Sequence, residues 1–402
     1  MSMKNFFSRN NFVFIYVCVV LFCFIPYGFC NVYLTFLPEK EHYTGALFLI
    51  LSFAIMHKIN HVDVTIKNIF FMQLIGLILV GIFHGFILPV YGNFVRMALA
   101  MSLIILIEST IGLRLFFRRY NLWILLMMIL GVITLLLILS GFSPISVVED
   151  RGDGRLVYNY ILSFSKYDLS NSFDFRPSGF FDEPGAMGNW GIYALVINKL
   201  FFDDKKMERL LSLFIITTLS LGSIIQLLLY FIVTINFKRK VNSLLLLIVP
   251  VVAYWGLLST KDTELDFIYK NSIVRIEQTF KQGKTEGNVS VGNREVLAEK
   301  AYKAFQENPL FGSPKVYDEY MADNIYEPLA NYGIIGSMLV LSPFIWIFFR
   351  SIKIRDYLLL KMWFVLIVGF AHRPFHTQLL NFFIIYSMII LIKQVRHKKI
   401  FI

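Results

Sequence analysis

Apolar runs long enough to cross a hydrocarbon layer recur from one end of this 402-residue chain to the other. A helix needs roughly 17–25 such residues to span a bilayer, and helices satisfy every backbone polar group internally. The pattern predicts spans near 12–30, 44–57, 69–89, 94–113, 122–142, 186–202, 210–220, 221–236, 241–259, 326–349, 358–375 and 377–393. The expected fold is therefore all-α: one polytopic membrane domain over 1–402 with about 12 helices. Only 16% of residues are charged, too few for a soluble domain of this length. The 41 Phe and 20 Tyr suit lipid-facing and interfacial positions.

The stretch 210–236 has about 27 residues, too short for two full crossings at 1.5 Å per residue. Basic clusters flank both its ends (Lys205, Lys206 and Arg209; Lys238, Arg239 and Lys240). Two short helices meeting near Ser220 and Ser223 keep both clusters on one side; a re-entrant pair is the alternative. The remaining basic groups (Lys4 and Arg9, Lys58 and Lys67, Arg114, Arg118 and Arg119, Arg350, Lys353 and Arg355, Arg396, Lys398 and Lys399) then share that side. The positive-inside rule makes it cytoplasmic, with both termini there. The net charge of +11 is explained by these loops, so no nucleic-acid partner is expected. Cys18, Cys23 and Cys30 lie in or at the end of the first run and show no ligand or pairing framework.

Two long loops, 143–185 and 260–325, fall on the opposite face and are expected to contain short helices. The first ends in Arg176-Pro-Ser-Gly-Phe-Phe-Asp-Glu-Pro-Gly-Ala-Met-Gly188. Charges at a bilayer edge cost free energy unless they bind or catalyse something. A helix beginning at or just after Pro184 aims its positive end at that loop. The second loop carries a helix over about 293–308, with Asn293 as N-cap and Pro309 as stop. Arg294 in its first turn opposes the helix dipole, which makes sense if an anion sits there; the plainer account is a solvated arginine beside Glu295. Asp323 and Asn324 precede the next span, where Asp323 is either a general base or an ordinary N-cap. Gly333 and Gly336, one turn apart, allow close helix contact. His372-Arg-Pro-Phe-His376 lies at another external edge, so Arg373 and His376 can join the same pocket. Pro374 between the histidines argues against zinc, and neither a metal nor a cofactor is expected. Arg96 belongs near the external end of its span, facing the pocket or the headgroups. Glu108, near the cytoplasmic end of that span, is expected to pair with Arg114.

The chain resembles the O-antigen polymerase (Wzy) and O-antigen ligase family. The matching residues are the Arg176 to Gly188 segment, Gly292-Asn-Arg294 with Asn308-Pro-Leu-Phe-Gly312, and Asp323-Asn-Ile-Tyr326 with Asn331-Tyr-Gly-Ile-Ile-Gly336. The resemblance implies transfer of glycan from an undecaprenyl-diphosphate carrier at the outer face of the inner membrane. It implies that Arg176 and Arg294 engage the diphosphate, with Arg373 and Arg96 as further candidates. The base is left among Asp323, Glu183 and His376. Ligases carry a His-Asn pair where this chain has Asp323-Asn324, which looks more like the polymerases. Implied partners are the lipid-linked repeat units, membrane lipid, a chain-length regulator and a flippase. Ligation to lipid A-core and lipid-linked oligosaccharide transport are the alternatives.

Overall fold

The computed structural model describes residues 9–23, 64–84, 88–150, 155–160, 163–168, 176–181, 183–235, 255–256, 258–263, 269, 273–274, 289–313, 326–372 and 378–396. Among these residues the chain is mostly helical, with twelve helices and one four-stranded sheet. The helices are α1 (Arg9–Cys23), α2 (Val64–His84), α3 (Leu88–Glu108), α4 (Leu113–Leu139), α5 (Pro184–Phe201), α6 (Lys205–Thr217), α7 (Leu221–Thr234), α8 (Val289–Glu307), α9 (Glu327–Val340), α10 (Ser342–Lys353), α11 (Tyr357–His372) and α12 (Leu379–Arg396).

Two of them, α2 and α4, are long and apolar enough to cross a membrane. The α9–α10 pair reaches that length together but bends by 42° at its junction. Helix length among the described residues thus does not establish the expected count of about 12 spans. The span expected at 44–57 and most of the one at 241–259 lie outside the described residues.

Helices α5 and α12 form the centre, buried along nearly their whole lengths. Around them, α2 exposes Phe71, Ile75, Ile78 and Ile82, α4 exposes Leu122, Leu126 and Leu136, and α7 exposes Ile225, Leu228 and Ile232. Exposed apolar surface this extensive on a well-packed bundle is compatible with a face that meets lipid.

The helix ends sort into two groups. At one end Arg119 donates to Asn11 (2.9 Å), Lys393 to Thr65 (2.5 Å) and Gln394 to Glu108 (3.5 Å). This gathers the ends of α1, α2, α3, α4 and α12 where the basic loops begin. Among the described residues no ion pair joins Glu108 to Arg114, so the expected pairing is replaced by the Gln394 contact. Nearby, Lys199 and Lys205 bind Asp203 at 2.8 and 3.2 Å, and Lys205 also meets Glu208 at 2.8 Å. Hydrogen bonding to Lys199 holds the Asp203 carboxyl below its ordinary pKa.

Helices α6 and α7 run antiparallel, with Tyr230 donating to Glu208 Oε1 at 2.7 Å. They turn over at Leu219, whose φ is 50°. Two short helices do meet near Ser220, an arrangement that fits the expected pair and the re-entrant alternative alike. At 13 and 14 residues each rises only about 20 Å, short of a hydrocarbon core of about 30 Å.

The sheet corrects one expectation. The first long loop holds strands rather than short helices: β1 (Ser146–Asp150), β2 (Arg155–Asn159), β3 (Phe164–Asp168) and β4 (Arg176–Gly179), antiparallel in the order β1-β2-β3-β4. Asp153-Gly154 between β1 and β2 is a hairpin signal in the sequence. Topology can be checked by cysteine labelling of intact cells. Reagent is expected to reach cysteines placed at positions 165 and 285 but not at 205 or 355; the reverse pattern would overturn the orientation.

Candidate functional site

Two groups of polar residues stand at the end of the bundle opposite the basic helix ends. The first is built by the Arg176 to Gly188 segment. Strand β4 lies on α4, where a Cβ at Gly131 would come within 3.2 Å of Pro177 and 3.3 Å of Gly179 N. Gly179 has φ 60°, a conformation that favours glycine, and a Cβ there would sit tightly at 3.0 Å from Met187 Sδ and 3.1 Å from Met127 O. The chain then tightens, with Phe181 N donating to Ser178 O at 3.0 Å and the Phe181 ring buried beneath. Glu183 is the N-cap of α5 in extended conformation, with Pro184 in the first turn, as the sequence predicts. The first intrahelical bond is Met187 N to Glu183 O. The amides of Gly185 and Ala186 therefore have no acceptor within the helix, and Glu183 offers no side-chain cap. This positive end faces the segment that carries Arg176 and Glu183.

One turn deeper, Gly188 meets the α6–α7 corner. Ser223 Oγ donates to Gly185 O at 3.4 Å and to Ser220 Oγ at 3.2 Å. A Cβ on Gly188 would overlap Ser223 Oγ and lie 2.6 Å from Ser223 Cβ. Asn189 and Gln226 are both buried beside Gly369 of α11. Asn189 Oδ1 and Gln226 Oε1 have no hydrogen-bond partner among the described residues. Gly188→Ala is expected to destabilise the protein by about 1–3 kcal/mol, the usual cost of overpacking. Ser223→Gly in the same chain should recover much of that loss. A thermal-melt double-mutant cycle reads the coupling; strictly additive effects would mean the two residues do not meet.

The second group surrounds a break in α9. Gly333 has φ 62° and ψ −169°, outside any helix. Residues 308–313, which follow α8, are laid into the break. Ser313 N donates to Ala330 O (2.8 Å), Ile334 N to Pro309 O (2.8 Å) and Ile335 N to Leu310 O (3.1 Å). Backbone groups released by the interruption are thus satisfied by a second stretch of backbone, as irregular chain within an apolar bundle requires. Past the break the chain folds back far enough for Ser337 Oγ to reach Pro328 O at 2.7 Å, nine positions earlier.

The joint is held from both sides. A Cβ on Gly312 (φ 79°) would lie 2.5 Å from Asn331 C, and one on Gly333 would overlap Leu310 C and Phe311 N. Phe83 of α2 stacks on Phe311 with centroids 4.0 Å apart. Gly336 approaches Val80, and Gly76 approaches Leu339, so α2 and the second half of α9 pack closely. The expected close contact through Gly336 is present. Gly333 does something else, making the turn into which 308–313 fits.

Beside the break, Asn93 Nδ2 donates to Tyr332 OH at 2.8 Å, and Arg96 Nη1 donates to Asn93 Oδ1 at 3.2 Å. Asn93 and Tyr332 are buried and Arg96 is half-buried. Arg96 is thereby tied to the residue that precedes the break. Tyr332 falls within the Asn331 to Gly336 segment of the resemblance, whereas for Asn93 a lone Asn in an apolar run is the hint the sequence offers.

The remaining candidates divide as follows. The backbone of Arg176 lies in β4, paired with Lys166. Arg294 lies in α8, which begins at Val289 rather than at 293, so Arg294 falls in the second turn instead of the first. Arg294 is therefore set back by a turn from the positive end of the helix. Helix α8 ends at Glu307 just before Pro309, as expected, and buries Ala301 and Ala304 against Ala330 of α9. Asp182, Asp323, Asn324, Arg373 and His376 lie outside the described residues, although α11 ends at His372, three residues after the glycine packed on Asn189. No protein-family model matches the chain, and no curated protein matches it.

Proposed function

We propose that the chain is a surface-polysaccharide polymerase of the inner membrane, moving a growing glycan from undecaprenyl diphosphate onto the next lipid-linked repeat unit at the periplasmic face. The observation that carries this reading is the interlocked joint of 308–313 with the break at Gly333. It joins two of the segments by which the chain resembles the O-antigen polymerases, and it ties Arg96 beside them. The third segment forms a helix N-terminus at the same end of the bundle.

In the proposed reaction an acceptor sugar hydroxyl attacks the anomeric carbon of the donor glycan. The new carbon–oxygen bond forms as the bond to the diphosphate breaks, and the hydroxyl proton passes to a base. Diphosphate departs once its charge is neutralised, for which Arg176, Arg294 and the first-turn amides of α5 are the candidates. Arg373 and Arg96 are further cations for the same headgroup. Asp323, Glu183 and His376 are the candidate bases. Asp323→Asn is expected to lower polymer formation by about 10²–10⁴-fold, the usual worth of general-base catalysis. Near-normal turnover would move the role to Glu183 or His376.

The broken helix also favours a second reading. Transporters bind substrate at discontinuous helices, so a lipid-linked oligosaccharide flippase fits the Gly333 break. Glycan electrophoresis of a deletion strain separates the two. Single repeat units left on the cell's lipid support the polymerase. Loss of every externally exposed intermediate supports the flippase, and accumulated long carrier-bound glycan supports a ligase.

A further inference from the structure

We infer that the corner between α3 and α4 is a binding site for the zwitterionic headgroup of phosphatidylethanolamine. A cavity of about 440 Å³ opens there, lined by Glu108 at the end of α3, Arg114 and Arg118 in the first turns of α4, Phe202 after α5 and Gln394 near the end of α12. It lies at the basic end of the bundle, away from both polar groups described above.

The cavity holds charges of both signs that do not neutralise each other. Among the described residues no ion pair joins Glu108 to Arg114 or Arg118; Glu108 accepts only a long contact from Gln394 at 3.5 Å. Helix α4 adds its own positive end. Its N-cap Gly112 supplies no side chain, and the first intrahelical bond there is Phe116 N to Gly112 O. The amides of Leu113, Arg114 and Leu115 thus have no acceptor within the helix. Two guanidinium groups and free amides suit a phosphate, and a separate carboxylate suits an ammonium.

Phosphatidylethanolamine presents both partners as hydrogen-bonding groups; phosphatidylserine does so too, but its extra carboxylate repels Glu108. A phosphoethanolamine headgroup carries a phosphate and a primary ammonium with three N–H donors. A choline headgroup has no N–H, and a glycerol headgroup sets no cation against Glu108. Exposed Leu122 and Leu126 continue along α4 beyond the arginines, an apolar track for acyl chains. The assignment rests on α4 crossing a bilayer, for which it has the length and composition, and is independent of the glycan chemistry.

The test is native mass spectrometry of the purified full chain with equal amounts of phosphatidylethanolamine, its N-methylated forms, phosphatidylcholine and phosphatidylglycerol, all with the same acyl chains. Wild-type protein is expected to retain phosphatidylethanolamine roughly tenfold over phosphatidylcholine, with retention falling at each methylation as N–H donors are lost. Glu108→Gln should bring the two lipids level. The Arg114→Gln/Arg118→Gln double variant should lower retention of all of them. Equal retention across the methylated series, strongest retention of phosphatidylglycerol, or a Glu108→Gln protein that keeps the preference would overturn the assignment. The methylation series needs no variant, so a misfolded mutant cannot rescue the idea.

Discussion

Cells carrying Arg176→Ala or Arg294→Ala as their sole copy are expected to make single repeat units and no polymer, with the membrane level of the protein unchanged. A diphosphate leaving group carries its charge into the transition state, where each preorganised cationic contact is worth about 10²–10³ in rate. Arg176→Lys should also be impaired, because an ammonium is a point charge and cannot reproduce the bidentate fork of a guanidinium on phosphate. A gel of the surface glycan, run beside an immunoblot of the membrane fraction, reads both quantities. A normal ladder from either alanine variant would remove that arginine from the mechanism. The two positions lie on different elements, Arg176 on the strand that leads into α5 and Arg294 on the helix that leads into the α9 joint.

Gly333→Ala is expected to prevent accumulation of folded protein. The φ of 62° with ψ −169° is open to glycine and strained for other residues, at about 1–3 kcal/mol. The added Cβ would also overlap Leu310 C and Phe311 N, which are backbone atoms. They cannot retreat, because Ile334 N and Ile335 N are bonded to Pro309 O and Leu310 O on the same strand of chain. Strain and overlap together should cost roughly 3 kcal/mol or more, a large share of a typical folding free energy. Gly92→Ala is the control: nothing lies within 4 Å of a Cβ there, and alanine suits a helix. Equal expression and melting of the two variants would show that the joint is not as rigid as its hydrogen bonds imply.

The parts of the fold that follow from local periodicity were legible in the sequence. Apolar runs marked nearly every described helix, and Pro184 and Pro309 marked a start and a stop to within a residue or two. Contacts among Asn11, Thr65, Glu108, Arg119, Lys393 and Gln394 bring the ends of α1, α2, α3, α4 and α12 together. Features made by distant partners were hidden. Gly333 and Gly336 look alike in a Gly-x-x-Gly pattern, yet one packs on Val80 and the other turns the chain to receive 308–313. Nothing local distinguishes them, because the decisive neighbour is backbone some twenty positions away. The sheet was missed because charge and glycine in 146–159 read as loop, although Val147, Val148, Val157 and Tyr158 are β-formers. Helix α8 begins four residues before the expected Asn293 cap, through Val-Ser-Val-Gly, none of which is a strong helix former, so nothing local marks that start.

If this chain joins glycan units by displacing a lipid diphosphate held by Arg176 and Arg294, each glycosidic bond releases one undecaprenyl diphosphate. The most direct test reconstitutes the purified full chain in lipid nanodiscs with undecaprenyl-diphosphate-linked repeat units, and counts undecaprenyl diphosphate released against glycosidic bonds formed. The account predicts one release for each bond, with both falling to background in the Arg176→Ala/Arg294→Ala double variant. Polymer growth without release, or undiminished release from the double variant, would contradict it.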